Sequence, residues 1–263
     1  MDLELAGKVV LVTGGSLGIG AATASSFAQE GARLAISARD AGTLERTATR
    51  IAQETGAKVH PVPCDLTQPE QIEALVQNVI AHYGTIHVLV NNAGGPPAGP
   101  ADRLTDADWQ RAFELTLMSA VRTTRAVLPF MRRQRWGRIV NVSSYSVKQP
   151  IPDIMLSNSL RLAVSGWAKT LSASIAADNV LINTVAPGWT RTDRVSHVFE
   201  ARSAGTAASP ADIEAQIARS IPLGRLAEPR EIADAIVFLA SARASYVTGT
   251  LLAVDGGVIQ SST

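Results

Sequence analysis

The chain has 263 residues, 24 Lys+Arg against 23 Asp+Glu, a formal net charge of +1 and 46% hydrophobic residues. That balance excludes a polyelectrolyte surface for nucleic acid or an anionic membrane, and it excludes disorder. No apolar run approaches the roughly 18 residues that a membrane span requires, and residues 1–6 carry Asp2 and Glu4, unlike a signal peptide. The single cysteine, Cys64, rules out an internal disulfide and fits a reducing, cytoplasmic setting.

Short β-branched runs alternate with longer stretches of helical spacing. The first strand is expected over 9–12, then a glycine-rich turn and a helix over 21–30 closed by Gly31. A strand at 34–36 precedes a helix over 43–54 that stops at Gly56, and a strand at 59–62 precedes a helix over 70–83 that stops at Gly84. Strands at 88–90 and 139–142 flank a long helical stretch, 106–133. A second long helix, about 154–177, leads to a strand at 180–185, and a helix at 231–239 and a strand at 251–254 end the pattern. Repetition of β-α-β with connections of crossover length specifies one α/β domain over 1–263: a seven-stranded parallel sheet with helices on both faces, a Rossmann-type three-layer fold. The small, flexible composition around Ala201–Pro210 departs from this pattern. It reads either as a surface loop or as a flexible lid over about 189–221.

Gly14, Ser16, Leu17, Gly18, Ile19 and Gly20 lie between the first strand and the first helix. Glycine there permits a tight turn and close backbone approach, and the helix N-terminus offers free N–H groups to a pyrophosphate. A nucleotide is the expected ligand of this turn. Thr13-Gly14-x-x-x-Gly18-x-Gly20 resembles the cofactor turn of the short-chain dehydrogenase/reductase family, in particular its 3-oxoacyl-acyl-carrier-protein reductases. Four further segments fall in that family's order: Cys64-Asp65-Leu66, Asn91-Asn92-Ala93-Gly94, Pro187-Gly188-Trp189-Thr190-x-Thr192 and Asp255-Gly256-Gly257. The resemblance implies a nicotinamide cofactor met by Asp65 and Leu66 at the adenine, by Asn92, Ala93 and Gly94 beside strand four, and by Pro187, Gly188, Thr190 and Thr192 at the carboxamide. It also implies a homotetramer or homodimer that uses the two long helices as its dimer face.

The end of the second strand chooses between the cofactors. An acidic residue there accepts hydrogen bonds from the adenosine ribose and repels a 2′-phosphate. This chain has Ser37-Ala38-Arg39, with Asp40 one step further on. Arg39 can bond a 2′-phosphate and stack on adenine, which favours NADP(H) over NAD(H).

The family's hydride transfer uses an Asn, a Ser, a Tyr and a Lys. Ser144 occupies the serine position, but the register of 163–171 puts Ser157 where the family has Tyr, Arg161 where it has Lys, and Thr116 where it has Asn. A serine hydroxyl ionises far above a phenol, and an arginine does not shuttle protons. Arg161, one helical turn from Ser157, can still hold ribose hydroxyls and so counts with the cofactor residues as well. Tyr145 and Lys148 are displaced candidates for the proton donor, with Asp153 and His197 as further neighbours. For Tyr145 an aromatic wall of the pocket is the preferred reading over a catalytic role. The expected activity is interconversion of a small-molecule carbonyl and a secondary alcohol at an atypical catalytic site. The alternative is a catalytically impaired nucleotide-binding partner or regulatory subunit on the same fold.

Overall fold

Runs such as Val9-Val10-Leu11-Val12 carry branched apolar side chains on both faces, the composition of a strand covered twice. The computed structural model describes residues 1–204, 206 and 208–261. Its strands are β1 (Val9–Thr13), β2 (Arg33–Ala38), β3 (Val59–Pro63), β4 (Val88–Asn91), β5 (Gly137–Val142), β6 (Val180–Pro187) and β7 (Leu251–Val254). Among the described residues they form one parallel sheet in the order β3-β2-β1-β4-β5-β6-β7.

The helices are α1 (Gly18–Gln29), α2 (Ala41–Thr55), α3 (Pro69–Tyr83), α4 (Asp106–Ala112), α5 (Ser119–Arg133), α6 (Met155–Ile175), α7 (Asp193–Ser203), α8 (Pro210–Ser220) and α9 (Pro229–Ala240). Successive strand residues serve opposite faces. Val10 and Val12 pack with Phe27, Leu44, Ile51, Ile232 and Ile236 under α1, α2 and α9. Val9 and Leu11 pack with Leu75, Val79, Val127, Met131 and Ile175 under α3, α5 and α6. The order reverses between β1 and β4, and the crevice at that switch point is where open α/β sheets bind ligands.

One expectation needs correction, and one segment takes a form its composition did not indicate. The long helix over 106–133 is interrupted: Phe113–Met118 forms a π-helical segment between α4 and α5, an insertion that bulges the helix at Thr116. The segment 189–221 is more ordered than its small residues suggest, because it holds α7 and α8. Thr192 accepts from the Val195 N–H at the start of α7. Ser209 and Asp212 form a reciprocal capping box at the start of α8, with Pro210 in its first turn. Those caps satisfy backbone donors that the small side chains leave open, so local chemistry outweighs composition. Residues 205 and 207 of that segment lie outside the described residues. No helix among the described residues is long and apolar enough to cross a membrane.

Candidate active site

The phosphate turn is held by backbone contact. Gly14 has φ +58°, and a Cβ there would sit 2.6 Å from the Asn92 carbonyl oxygen. A Cβ on Gly20 would lie 2.0 Å from the Gly14 oxygen and 2.7 Å from Asn92 Nδ2. Asn92 locks this approach: its N–H donates to Thr13 Oγ1 (3.0 Å) and its Nδ2 to the Gly14 oxygen (3.0 Å). The Ser16 oxygen accepts from Thr47 Oγ1 at 2.8 Å, which ties the turn to α2. Leu17 precedes α1 in extended conformation without a side-chain cap, so the first-turn N–H groups of α1, near Gly18, Ile19 and Gly20, stay available to an anion.

Other cofactor candidates converge on the same crevice. Leu66, Asn92, Ala93, Gly94 and Arg161 line one cavity with Thr13 and Thr116. A Cβ on Gly94 would meet nothing within 4 Å, which leaves space for a ligand against this backbone. Asp65 is committed locally, its Oδ1 accepting from the N–H and hydroxyl of Thr67 at 2.9 and 2.8 Å. Pro187 ends β6, and Gly188 lies so close to Asp255 that a Cβ would come within 2.6 Å of its Cα. Thr190 is buried and donates to the Gly188 oxygen at 3.1 Å. Thr192 sits 3.1 Å from the position a Gly18 Cβ would take, so the start of α7 closes on the phosphate turn.

At the end of β2, Arg39 is exposed and joins no ion pair among the described residues. Asp40 is occupied: its Oδ1 accepts from the Thr43 N–H at 2.7 Å as the N-cap of α2, and bonding to Thr43 holds its carboxyl below the usual value. The acid nearest the strand end therefore caps a helix.

The catalytic positions separate. Ser157 is buried, and its Oγ accepts from Arg161 Nε at 3.1 Å. Arg161 Nη1 donates to the oxygens of Val142 and Ser143, both at 2.9 Å, so the arginine bridges α6 to the end of β5. Burial, with Arg194 adding repulsion, lowers the Arg161 guanidinium to about 10, and it remains cationic at neutral pH. Thr116 is buried in the π-helical segment with its Oγ1 unbonded. Asn141 Nδ2 and Ser143 Oγ, on the same cavity, are also unbonded. These last two were not foreseen; they sit beside Ser144 in the strand-end motif, where alternation along β5 marks which side chains turn inward. The cavity is about 20 Å³, room for about one water molecule. Ser144 Oγ accepts from the Ser146 N–H at 3.1 Å and starts a single 3₁₀ turn over Tyr145–Val147.

Tyr145 lies apart from that cavity. It is buried with Phe199, Ile217, Ile221 and Leu226, with Trp189 packed alongside, which joins α7 and α8 to the site. Burial raises its phenol above the usual value, against a smaller opposing effect of Trp189. Tyr145→Phe is accordingly expected to leave kcat within about threefold and to cost under about 1.5 kcal/mol. A loss of kcat above tenfold, with the melting temperature unchanged, would make this phenol the proton donor. Lys148, Asp153 and His197 are exposed.

A glycine-lined backbone cradle at the switch point of a parallel sheet, facing an uncapped helix N-terminus, defines a dinucleotide-binding Rossmann-type protein. Residues 14–259 match the family model described as enoyl-(acyl carrier protein) reductase. The chain is 36% identical over 257 residues to a 3-oxoacyl-acyl-carrier-protein reductase of Thermotoga maritima, covering 98% of this chain and 100% of that protein. It resembles the L-sorbose reductase of Gluconobacter frateurii, solved with NADPH and L-sorbose, at a TM-score of 0.95 and 33% identity, covering 99% of this chain and 100% of that one. An actinorhodin polyketide ketoreductase variant solved with NADPH gives 0.93 and 33%, covering 97% and 98%. The chain belongs to the short-chain dehydrogenase/reductase family.

Proposed function

We infer that this chain is an NADP(H)-dependent oxidoreductase that interconverts a carbonyl and a secondary alcohol, with a site that handles the proton atypically. The observation that carries this reading is the complete cofactor cradle, Gly14 to Gly20 locked by Asn92, beside an Arg39 with no competing carboxylate. The reductases and ketoreductase solved with NADPH support the same cofactor. Bound there, the nicotinamide supplies or accepts the hydride. The hydroxyls of Ser144 and Ser157 hold the substrate oxygen, and Arg161 holds the nicotinamide ribose. Neither a serine hydroxyl nor a bound water is acidic enough to be the source of the proton, so the proton that completes the alcohol is drawn from bulk solvent, with water held at the unbonded Thr116, Asn141 and Ser143 atoms as the relay.

The test is NADPH oxidation with a panel of ketones, 3-oxoacyl thioesters and quinones. Saturable turnover on at least one is expected. The commitment of the Ser157 hydroxyl to Arg161 favours a second reading, a catalytically impaired nucleotide-binding partner or regulatory subunit. Saturable NADPH binding without turnover on any of the panel selects it.

Arg39→Glu tests the cofactor. It removes a charge-assisted bond and sets a carboxylate against the 2′-phosphate, so the NADPH Kd is expected to rise roughly 10- to 100-fold while that of NADH rises less. Equal changes for both cofactors, measured by fluorescence titration, contradict NADP(H) preference. A homotetramer or homodimer suits the exposed Leu162 on α6 and the exposed Leu252 on the edge strand β7. A cytoplasmic location suits the buried, unpaired Cys64.

A further inference from the structure

Thr116, Asn141, Ser143 and Arg161 line one cavity, and the first three bring unspent donors to it. A hydroxyl on a helix commonly bonds back to the carbonyl one turn earlier. Two neighbours on this wall do so: Ser119 Oγ donates to the Leu115 oxygen, and Thr123 Oγ1 to the Ser119 oxygen at 2.7 Å. Thr116, buried in the π-helical segment, does not, and its Oγ1 is left unbonded. Asn141 is 1% exposed, and its amide is held from behind. Asn91 Nδ2 donates to Asn141 Oδ1 at 2.9 Å and to Thr124 Oγ1 at 3.0 Å, which pins the Asn141 amide with Nδ2 as an unbonded donor. Ser143 Oγ is buried and unbonded as well.

Water by itself leaves a charge unanswered. The bonds that Arg161 makes all go to uncharged oxygens, those of Ser157, Val142 and Ser143, and Val142 and Ser143 are themselves cavity residues. No Asp or Glu lines the cavity, and no ion pair among the described residues includes Arg161. A guanidinium withdrawn from water is costly without a counter-ion. Asn141 Nδ2 can only donate, so whatever fills the cavity must accept from it. A single water meets that demand, with the two hydroxyls turned to accept, but does nothing for the charge. A monatomic anion answers both. At about 20 Å³, room for about one water, the cavity is too small for a carboxylate, a phosphate or the diphosphate of the cofactor.

We propose that this cavity is a halide site, taking chloride between Asn141 Nδ2, the hydroxyls of Thr116 and Ser143 and the charge of Arg161, and that chloride there inhibits turnover. A space of this size holds chloride or water but not both, so the ion removes the water that relays the proton. The inhibition rests on the oxidoreductase reading above. The binding site does not, because it follows from the unbonded donors and the uncompensated guanidinium alone.

The experiment compares sodium chloride with sodium gluconate at equal ionic strength, using wild type, T116V and N141D. The readouts are thermal unfolding, line broadening of the chloride NMR signal, the anomalous signal of bromide soaked into crystals, and kcat with NADPH on any ketone the protein reduces. Chloride but not gluconate is expected to raise the melting temperature and lower kcat, and bromide should appear beside Asn141 Nδ2. T116V removes one hydroxyl at nearly constant volume and should weaken chloride binding about tenfold or more, the worth of a hydrogen bond to an ion. In gluconate it should melt at or above the wild type, because it deletes an unbonded buried hydroxyl. N141D sets a carboxylate against the anion and should abolish binding; if it does not fold, T116V still decides. Equal effects of chloride and gluconate, with no bromide in the cavity, show water only and overturn the site, while turnover in gluconate leaves the oxidoreductase reading intact. Chloride binding that T116V leaves unchanged puts the ion elsewhere and also overturns the site. Chloride bound in the cavity with kcat unchanged overturns the inhibition. Chloride bound there with no turnover of any ketone in gluconate sustains the halide site and sinks the oxidoreductase reading.

Discussion

Gly20→Ala is expected to abolish measurable NADPH binding and to destabilise the fold. The added methyl carbon would stand 2.0 Å from the Gly14 oxygen, 2.8 Å from the Gly14 carbonyl carbon and 2.7 Å from Asn92 Nδ2. None of these is the free end of a flexible side chain. Asn92 Nδ2 is held by its own bond to the Gly14 oxygen, and the Asn92 N–H is held by Thr13. The turn must therefore open, with the cost of an overpacked site, about 1–3 kcal/mol. A deformed cradle also loses the aligned N–H groups of α1, so NADPH affinity should fall roughly 100-fold or more. Gly166→Ala is the control. A Cβ at Gly166, exposed in the middle of α6, meets nothing within 4 Å, and alanine is favoured there by roughly 0.5–1 kcal/mol. Thermal unfolding and NADPH titration of both variants provide the check. A Gly20→Ala protein that binds and melts like the wild type shows that the turn relaxes, contrary to a rigid cradle.

The second large effect runs the other way. The double variant S157Y/R161K is expected to raise kcat on any ketone the wild type reduces by roughly 10²- to 10⁴-fold, the usual contribution of a positioned general acid. A phenol ionises near 10, and a neighbouring ammonium brings it down towards neutral pH. Serine beside a permanently charged guanidinium offers no such donor. The cost falls on packing. Ser157 is buried, so the larger ring must extend into the crevice, and Arg161 gives up its bonds to the Val142 and Ser143 oxygens. A double variant that folds, binds NADPH and gains no rate would show that proton transfer does not limit this enzyme. The two single variants separate the effects, because neither the phenol nor the ammonium suffices alone. Their combined gain should exceed the product of the single ones.

Much of the molecule is legible before folding because it depends on local chemistry. Apolar runs marked each strand, Gly56 and Gly84 closed α2 and α3 as expected, and the Gly14–Gly20 spacing located the cradle. Ser157 and Arg161 stand one turn apart on a helix, so their contact follows from spacing alone. The segment 189–221 was legible in principle. Ser209-Pro210-x-Asp212 is a capping box with proline at the first turn, a stronger local signal than the small residues around it. The π-helical segment Phe113–Met118 had no such signal, since no residue type marks a π turn as a glycine or a capping residue marks a helix end.

Sequence alone determined the parallel α/β architecture and located the glycine turn of Gly14–Gly20, and it carries the expectation that Ser157 and Arg161 stand where the family has Tyr and Lys. Each is a property of residue type and short spacing. Tertiary structure decided the rest. It turned Tyr145 into the cluster under α7 and α8, used up Asp40 as a helix cap, and left Thr116 Oγ1, Asn141 Nδ2 and Ser143 Oγ unbonded on one cavity. The physical reason is that a side chain's burial, partners and electrostatic neighbours are set by elements distant in the chain. Those are the quantities that separate a solvated charge from one waiting for a ligand.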